Sequence, residues 1–401
     1  MINLINSSIF LNSGYSMGLT DITVPQVIML IIGLFFTYLA ISKKYEPLLL
    51  LPLAFGIIIA NVPGAGLSAY DYFESAGQLR PGLMNFLYGG IMFVIFPPLI
   101  FLCIGTMTDF GPLIANPRTV LIGLGGQLGI FICFIAAFFL LGGDSWLTSI
   151  IPGFDGFSAG EAASIAIIGS SDGPTAIFAA SRMSPEILST VAIAAFSYMA
   201  LVPFIQPPIM RWLTTDKERK VVMPAPRNVS QKQKILFPIL LTLTVLLFVP
   251  AAGALVGMFM LGNLIRESGV TGRYITTLQN ALLNILTLLV ALSIGASATA
   301  DRFLTTTTII VVILGLFAFA VGTIGGVLIA KLLYKTSGGK VNPLIGNSGV
   351  SAMPMAARIS QKLGQQYNPQ NHLLMHAMGP IVASTILSAI VAGLFIAFLA
   401  G

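Results

Sequence analysis

The chain has 401 residues, of which 56% are hydrophobic and only 8% charged, with a formal net charge of +6 and a mean hydropathy of +0.93. A soluble domain carries about 25% charged residues, so a water-covered globular fold is excluded. Many runs approach the roughly 20 apolar residues that span a bilayer, and the composition reads as an all-α, polytopic membrane protein. Cys103 and Cys133 both lie in apolar runs and read as small core residues, not a disulfide framework. The basic residues sit mostly in loops, a mark of membrane topology and not of nucleic-acid binding.

In chain order, residues 1–20 lack the charged start and cleavage site of a signal peptide. They read as a re-entrant or surface piece leading into a first span at 22–42. Apolar segments follow at 47–60, 85–107, 119–141, 161–180, 186–209, 235–265, 275–298, 305–334, 341–357 and 371–400. The expectation is about 9–11 membrane segments. The prolines of 96-FPPLIF-101 and 202-VPFIQPPIM-210 interrupt two of them, which is tolerated only where neighbours or a cavity satisfy the freed backbone groups. The loop 211–234 is strongly basic and, with Lys43, Lys44 and 331-KLLYKTSGGK-340, is expected on the cytoplasmic side. The acidic stretches 61–82 and 142–160 are expected outside. The chain thus reads as a first membrane half (1–210), a basic cytoplasmic loop (211–234) and a second membrane half (235–401).

Two interrupted segments match each other. In 168-IGSSDGPTAIFAASRMS-184 and 345-IGNSGVSAMPMAARIS-360, each opens Ile-Gly-polar-Ser, carries Gly and Pro, and closes on Ala-Ala followed by Arg. They lie a little under half the chain apart. Corresponding Gly/Pro-interrupted segments in two halves are the sequence mark of a transporter binding site at the bilayer midplane. One follows an acidic outer stretch and the other a basic inner one. The expectation is therefore an inverted pair of hairpins whose tips meet in the middle.

Asp172 sits in the first break, with no Lys or Arg within nine residues. A carboxylate at membrane depth is costly and marks a functional site by default. A bound cation or a proton is its natural partner, with helix C-terminal ends and unwound carbonyls contributing. One carboxylate among neutral oxygens suits Na+ better than a divalent ion. Candidate ligands are Ser170, Ser171 and Thr175 in the first segment and Asn342, Asn347, Ser348 and Ser351 in the second. Tyr198 either donates to this site, carries a proton, or packs with its hydroxyl on a neighbouring carbonyl. Arg182 and Arg358 either hold an anionic substrate or snorkel to the interface. His372 and His376 share a helix face but read as interfacial polar residues. No nucleotide-binding or hydrolase motif is present in the sequence, so ATP cannot drive the chain by a recognisable route.

The segments GSSDGPTAIF, NPLIGNSGVSAMPMAARIS and NPQNHLLMHAMGP together resemble the β subunit of the Na+-translocating, biotin-dependent decarboxylases, over essentially the whole chain. The resemblance implies that a soluble carboxyltransferase α subunit loads biotin on a carrier protein or domain. Carboxybiotin then docks on the cytoplasmic face and is decarboxylated with consumption of a proton, driving Na+ outward. It implies that Asp172 is the central ion ligand, and it maps the family's Asn, Gly, Ser and Arg onto Asn342, Gly346, Ser351 and Arg358, and its tyrosine onto Tyr198. Further implications are a homotrimer of β subunits, a small single-span γ/δ partner and residence in a prokaryotic cytoplasmic membrane. One departure stands out: Ile381 occupies a position where the family has Asn, which bears on a second ion site. The two hairpins are expected to move against a scaffold in the manner of an elevator. The competing expectation is a stand-alone Na+-coupled transporter of an organic anion, which would need no biotinylated partner. A purely structural anchor would leave Asp172 unexplained.

Overall fold

The computed structural model describes residues 21–75 and 78–400; the stretch 1–20 lies outside the described residues. In chain order the main helices are α1 (Val24–Ser42), α2 (Pro47–Ala60), α3 (Leu83–Met92), α4 (Phe96–Met107), α5 (Pro117–Leu140), α6 (Ala159–Ile167) and α7 (Gly173–Met183). There follow α8 (Leu188–Leu213), α9 (Gln231–Phe248), α10 (Gly253–Ser268), α11 (Gly272–Ser297), α12 (Thr306–Thr336), α13 (Met355–Tyr367) and α14 (Leu374–Leu399). Strands β1 (Tyr72–Ser75) and β2 (Gln78–Pro81) pair antiparallel within the acidic stretch 61–82.

Among the described residues six helices (α1, α5, α9, α11, α12 and α14) are long and apolar enough to cross a membrane, or up to eight spans if two broken helix pairs are counted. This is fewer than the 9–11 expected segments, for a geometric reason. The 14 residues of α2 rise only about 21 Å against a hydrocarbon core of about 30 Å. The apolar run 161–180 is two half-helices, and 341–357 contains a 3-10 turn and extended chain.

The chain divides into two compact units. The first takes the described residues up to Phe93 together with Thr287–Thr305. Here Asn61, 1% exposed, ties the end of α2 to the chain after α11: its Nδ2 donates to the Ala298 carbonyl at 2.8 Å and its Oδ1 accepts from Ala300 N at 2.9 Å. The second unit comprises Val94–Leu286 and Thr306–Gly401. Glycines set its spacing. A Cβ on Gly126 of α5 would overlap the Gly349 carbonyl, and one on Gly326 of α12 would overlap the Gly346 carbonyl. Small residues let backbones approach where lipid offers no hydrophobic drive, so the second interrupted segment is gripped between α5 and α12. Ile122, Val202, Met210, Phe319, Val327 and Ile381 bury its apolar flanks.

Candidate functional site: two broken hairpins meeting at a buried carboxylate

The first hairpin is α6–α7. A reciprocal cap starts it, Ser158 N donating to Glu161 Oε2 at 2.8 Å and Glu161 N to Ser158 Oγ at 3.2 Å. The helix tightens through a 3-10 turn at Ile168–Ser170 and stops at Ser171, which takes a left-handed backbone with φ 57°. Asp172 then caps α7, its Oδ1 accepting from Thr175 N at 3.4 Å. At the open end Ser184 Oγ donates to Ser164 Oγ at 2.6 Å.

The second hairpin runs from Asn342 through a 3-10 turn (Pro343–Gly349) and an extended tip into α13. Its open end is tied to the basic loop. Asn342 Nδ2 donates to the Arg219 and Val221 carbonyls at 3.0 and 2.8 Å, and Asn371 Nδ2 to the Arg219 carbonyl at 2.9 Å. The buried Arg219 guanidinium donates to Asp216 Oδ1, Thr214 Oγ1 and Tyr367 Oη, each at 2.8 Å, and lies over the Tyr367 ring at 4.8 Å. The two open ends therefore lie at opposite ends of α8, which runs from Leu188 beside the first to Leu213 beside the second. This helix bends by 61° after Tyr198.

The tips touch. Ser351 N donates to the Ser170 carbonyl at 2.7 Å. Helix α14 lies alongside and supplies hydroxyls one turn apart. Ser388 Oγ donates to Asp172 Oδ2 at 3.2 Å, and Ser384 Oγ accepts from Ser351 Oγ at 3.1 Å. Asp172 is 6% exposed, and among the described residues no Lys, Arg or His pairs with it. Its charge faces the positive end of α7 and not only the C-terminal carbonyls expected to line the break. Ser171 Oγ, buried beside it, has no hydrogen-bond partner among the described residues, and the buried Thr175 hydroxyl lies against the same carboxylate. A buried, oxygen-rich centre with one carboxylate and neighbouring hydroxyls fits a monovalent cation or a proton.

Of the expected residues, Asp172, Ser171, Thr175, Ser170 and Ser351 come together. Asn342 does not join them by hydrogen bonds; its Oδ1 caps Leu344 N at 3.0 Å and its amide holds the loop. Asn347 is engaged elsewhere, donating to Gln206 Oε1 and to the Ala356 carbonyl, both at 2.9 Å. The Tyr198 hydroxyl donates to the Val312 carbonyl of α12. Arg182 and Arg358 are exposed, Arg182 near the open end of the first hairpin and Arg358 on the second. Ser384, Ser388 and Gln206 were missed; the signal for them was 381-IVASTILS-388, with hydroxyls four residues apart in an otherwise apolar span, and a lone Gln in 202-VPFIQPPIM-210.

Broken half-helices meeting around a buried carboxylate, inside a bundle of apolar helices, define a multi-pass membrane protein with a carboxylate centre in its interior. Comparison with known proteins narrows the class. The family described as Na+-transporting oxaloacetate decarboxylase beta subunit matches residues 25–399. The methylmalonyl-CoA decarboxylase subunit beta of Propionigenium modestum is 48% identical over 396 residues, covering 95% of this chain and 97% of its own. The glutaconyl-CoA decarboxylase subunit beta of Acidaminococcus fermentans is 48% identical over 384 residues, 96% of each chain. The oxaloacetate decarboxylase beta chain 2 of Salmonella typhi is 46% identical over 429 residues, 95% and 97% of the two. The chain belongs to this family and is a membrane subunit of a Na+-transporting decarboxylase.

Proposed function

We propose that this subunit binds Na+ at Asp172 and exports it, using the decarboxylation of carboxybiotin brought by a soluble carrier. The observation that carries the reading is the tip-to-tip contact, Ser351 N to the Ser170 carbonyl at 2.7 Å, beside a buried carboxylate with no cationic partner among the described residues. Ser171, Thr175, Ser351 and Ser388 supply the neutral oxygens. Asn342 and Asn347, whose amides are held elsewhere, keep the second hairpin in shape.

The carboxylated carrier docks on the face of the 211–234 loop, taken as cytoplasmic from its charge. Arg358, on the hairpin tied to that loop, is the better placed arginine for the incoming carboxylate, since guanidinium pairs carboxylates in bidentate fashion. In the reaction the N–C bond of carboxybiotin breaks, CO2 leaves, and the ureido nitrogen takes a proton. That proton returns by way of Asp172 once Na+ has left, so charge and ion exchange at one group. Tyr198, bonded to Val312, steadies α12 against the bend of α8 or passes the proton onward.

In this reading the halves 1–210 and 235–401 are an inverted repeat, and the paired hairpins move together against a scaffold. The partners are a carboxyltransferase α subunit, a biotin carrier, a single-span γ/δ subunit and two further β copies in a prokaryotic cytoplasmic membrane. The relatives carry the names of three different acids at nearly equal identity, so the acid is selected by the soluble partner. The test is Na+ uptake into inverted vesicles holding the complex, with and without carboxylated carrier. Uptake only with the carrier supports the reading; solute transport by this chain alone would replace it with a secondary transporter.

A further inference from the structure

Gln127 sits in α5 at an irregular turn between regular helix at Val120–Gly126 and Leu128–Ile135. Its neighbour Gly126 is the point at which the second hairpin presses on α5, through the Gly349 carbonyl. The side chain is 1% exposed. Its Nε2 donates to Ser384 Oγ at 3.1 Å and to the Gly123 carbonyl at 3.3 Å. The second contact fixes the amide orientation, because turning it over would set two carbonyl oxygens against each other. Its Oε1 is left buried with no hydrogen-bond partner among the described residues.

A buried amide oxygen without a donor is uncommon and calls for an explanation. Here it does not stand alone. Gln127 leads through Ser384 to Ser351, whose backbone meets the first hairpin tip. One turn further along α14, Ser388 holds Asp172. The unpartnered atom at the head of this path, Gln127 Oε1, is an amide oxygen that can only accept, so what it lacks is a donor or a cation. Ile381 lies on the same face of α14 about two turns from Ser388 and offers no oxygen.

We propose that Gln127 Oε1 is a cation ligand, forming with the Ser351 hydroxyl, whose own lone pairs stay free, a neutral oxygen step one turn of α14 from the Ser388 contact to Asp172. The inference rests on the Na+ reading of Asp172. A hard monovalent ion is held by such carbonyl and hydroxyl oxygens, and the step lets Na+ stay coordinated while it enters or leaves the carboxylate.

The test uses the detergent-solubilised complex and Na+ itself, against choline at equal ionic strength. Na+-induced thermal stabilisation and Na+ half-saturation of decarboxylation are read for wild type, Gln127→Leu and Gln127→Glu. Gln127→Leu is expected to raise both Na+ midpoints about tenfold, the scale of one lost strong polar contact. Gln127→Glu is expected to lower them and to bring in a response to Ca2+, because a second carboxylate favours a divalent ion. Unchanged midpoints in a Na+-responsive complex overturn the role of Gln127 while leaving Asp172 untouched. A wild type blind to Na+ removes the Asp172 reading first, and this one with it. If Gln127→Leu does not assemble, Gln127→Glu decides alone: midpoints and ion preference equal to wild type overturn the proposal.

Discussion

Asp172 is held by two kinds of contact that answer different needs. Its own helix start supplies a backbone N–H and a positive dipole end, and Ser388 supplies a hydroxyl from a helix 216 residues later in the chain. A hydrogen bond to a charged group contributes about 1.5–3 kcal/mol. Ser388→Ala is therefore expected to raise Na+ half-saturation about ten- to hundredfold, read by titrating Na+ in the decarboxylation assay. The sequence singles out Asp172 because a carboxylate in a greasy run is conspicuous, whereas Ser388 carries only a weak mark, its spacing from Ser384 in an apolar span, and its distant partner gives it meaning. The same holds in reverse for Asn342 and Asn347, polar residues whose amides the fold spends on loop carbonyls and on Gln206. Outside the membrane, burial pushes Asp109 up, but Lys234, 2.9 Å away, and the Gly111 N–H hold it below the usual value near 3.8. A lowered folded value adds stability above the unfolded pKa that is lost as pH falls through the folded one. Asp109→Asn should thus lower the unfolding temperature at pH 7 and have little effect well below pH 3.8, as thermal melts at the two pH values would show.

In the proposed reading, hairpins and not whole helices hold the ion. Each is too short to cross the bilayer and is kept in place by backbone proximity: α5 and α12 close on the second hairpin through Gly126, Gly326, Gly346 and Gly349. Gly126→Ala would drive a methyl into the Gly349 carbonyl, which cannot yield without moving the tip. A loss of about 2 kcal/mol or more is expected, the upper range of overpacking, seen as a lower unfolding temperature of the solubilised complex. Gly257→Ala in α10, where an added Cβ meets nothing within 4 Å, should be neutral or slightly stabilising; equal losses in both would contradict the packing argument. The matching Gly/Pro motifs revealed both hairpins in the sequence, because broken helices need those residues. The span count is less legible, since hydropathy cannot tell a half-helix from a full one, and Tyr72–Ser75 pairs with Gln78–Pro81 in a stretch read only by its charge.

At the scale of the molecule, orientation follows from where the charges gather. The basic loop 211–234 ties the open end of the second hairpin through Arg219, and the first hairpin opens at the other end of α8. With both native cysteines buried, introduced thiols report sidedness cleanly. Lys217→Cys should react with a membrane-impermeant maleimide only in inverted vesicles, and Asp144→Cys only in right-side-out ones; the opposite pattern would reverse the topology. The residue types around Asp172 point to Na+, the family resemblance adds the partner chemistry that hydropathy and spacing do not contain, and the 25–399 match bears out the family.

The most direct test of the central claim is decarboxylation of carrier-bound carboxybiotin by membranes holding the complex, with and without Na+, for wild type and Asp172→Asn. The account predicts Na+-stimulated turnover in the wild type. In the variant, with the carboxylate gone and the Ser388 contact kept in neutral form, it predicts a loss of at least a hundredfold, about 2.7 kcal/mol. Asp172→Asn turning over at the wild-type rate, with its Na+ response intact, would contradict it.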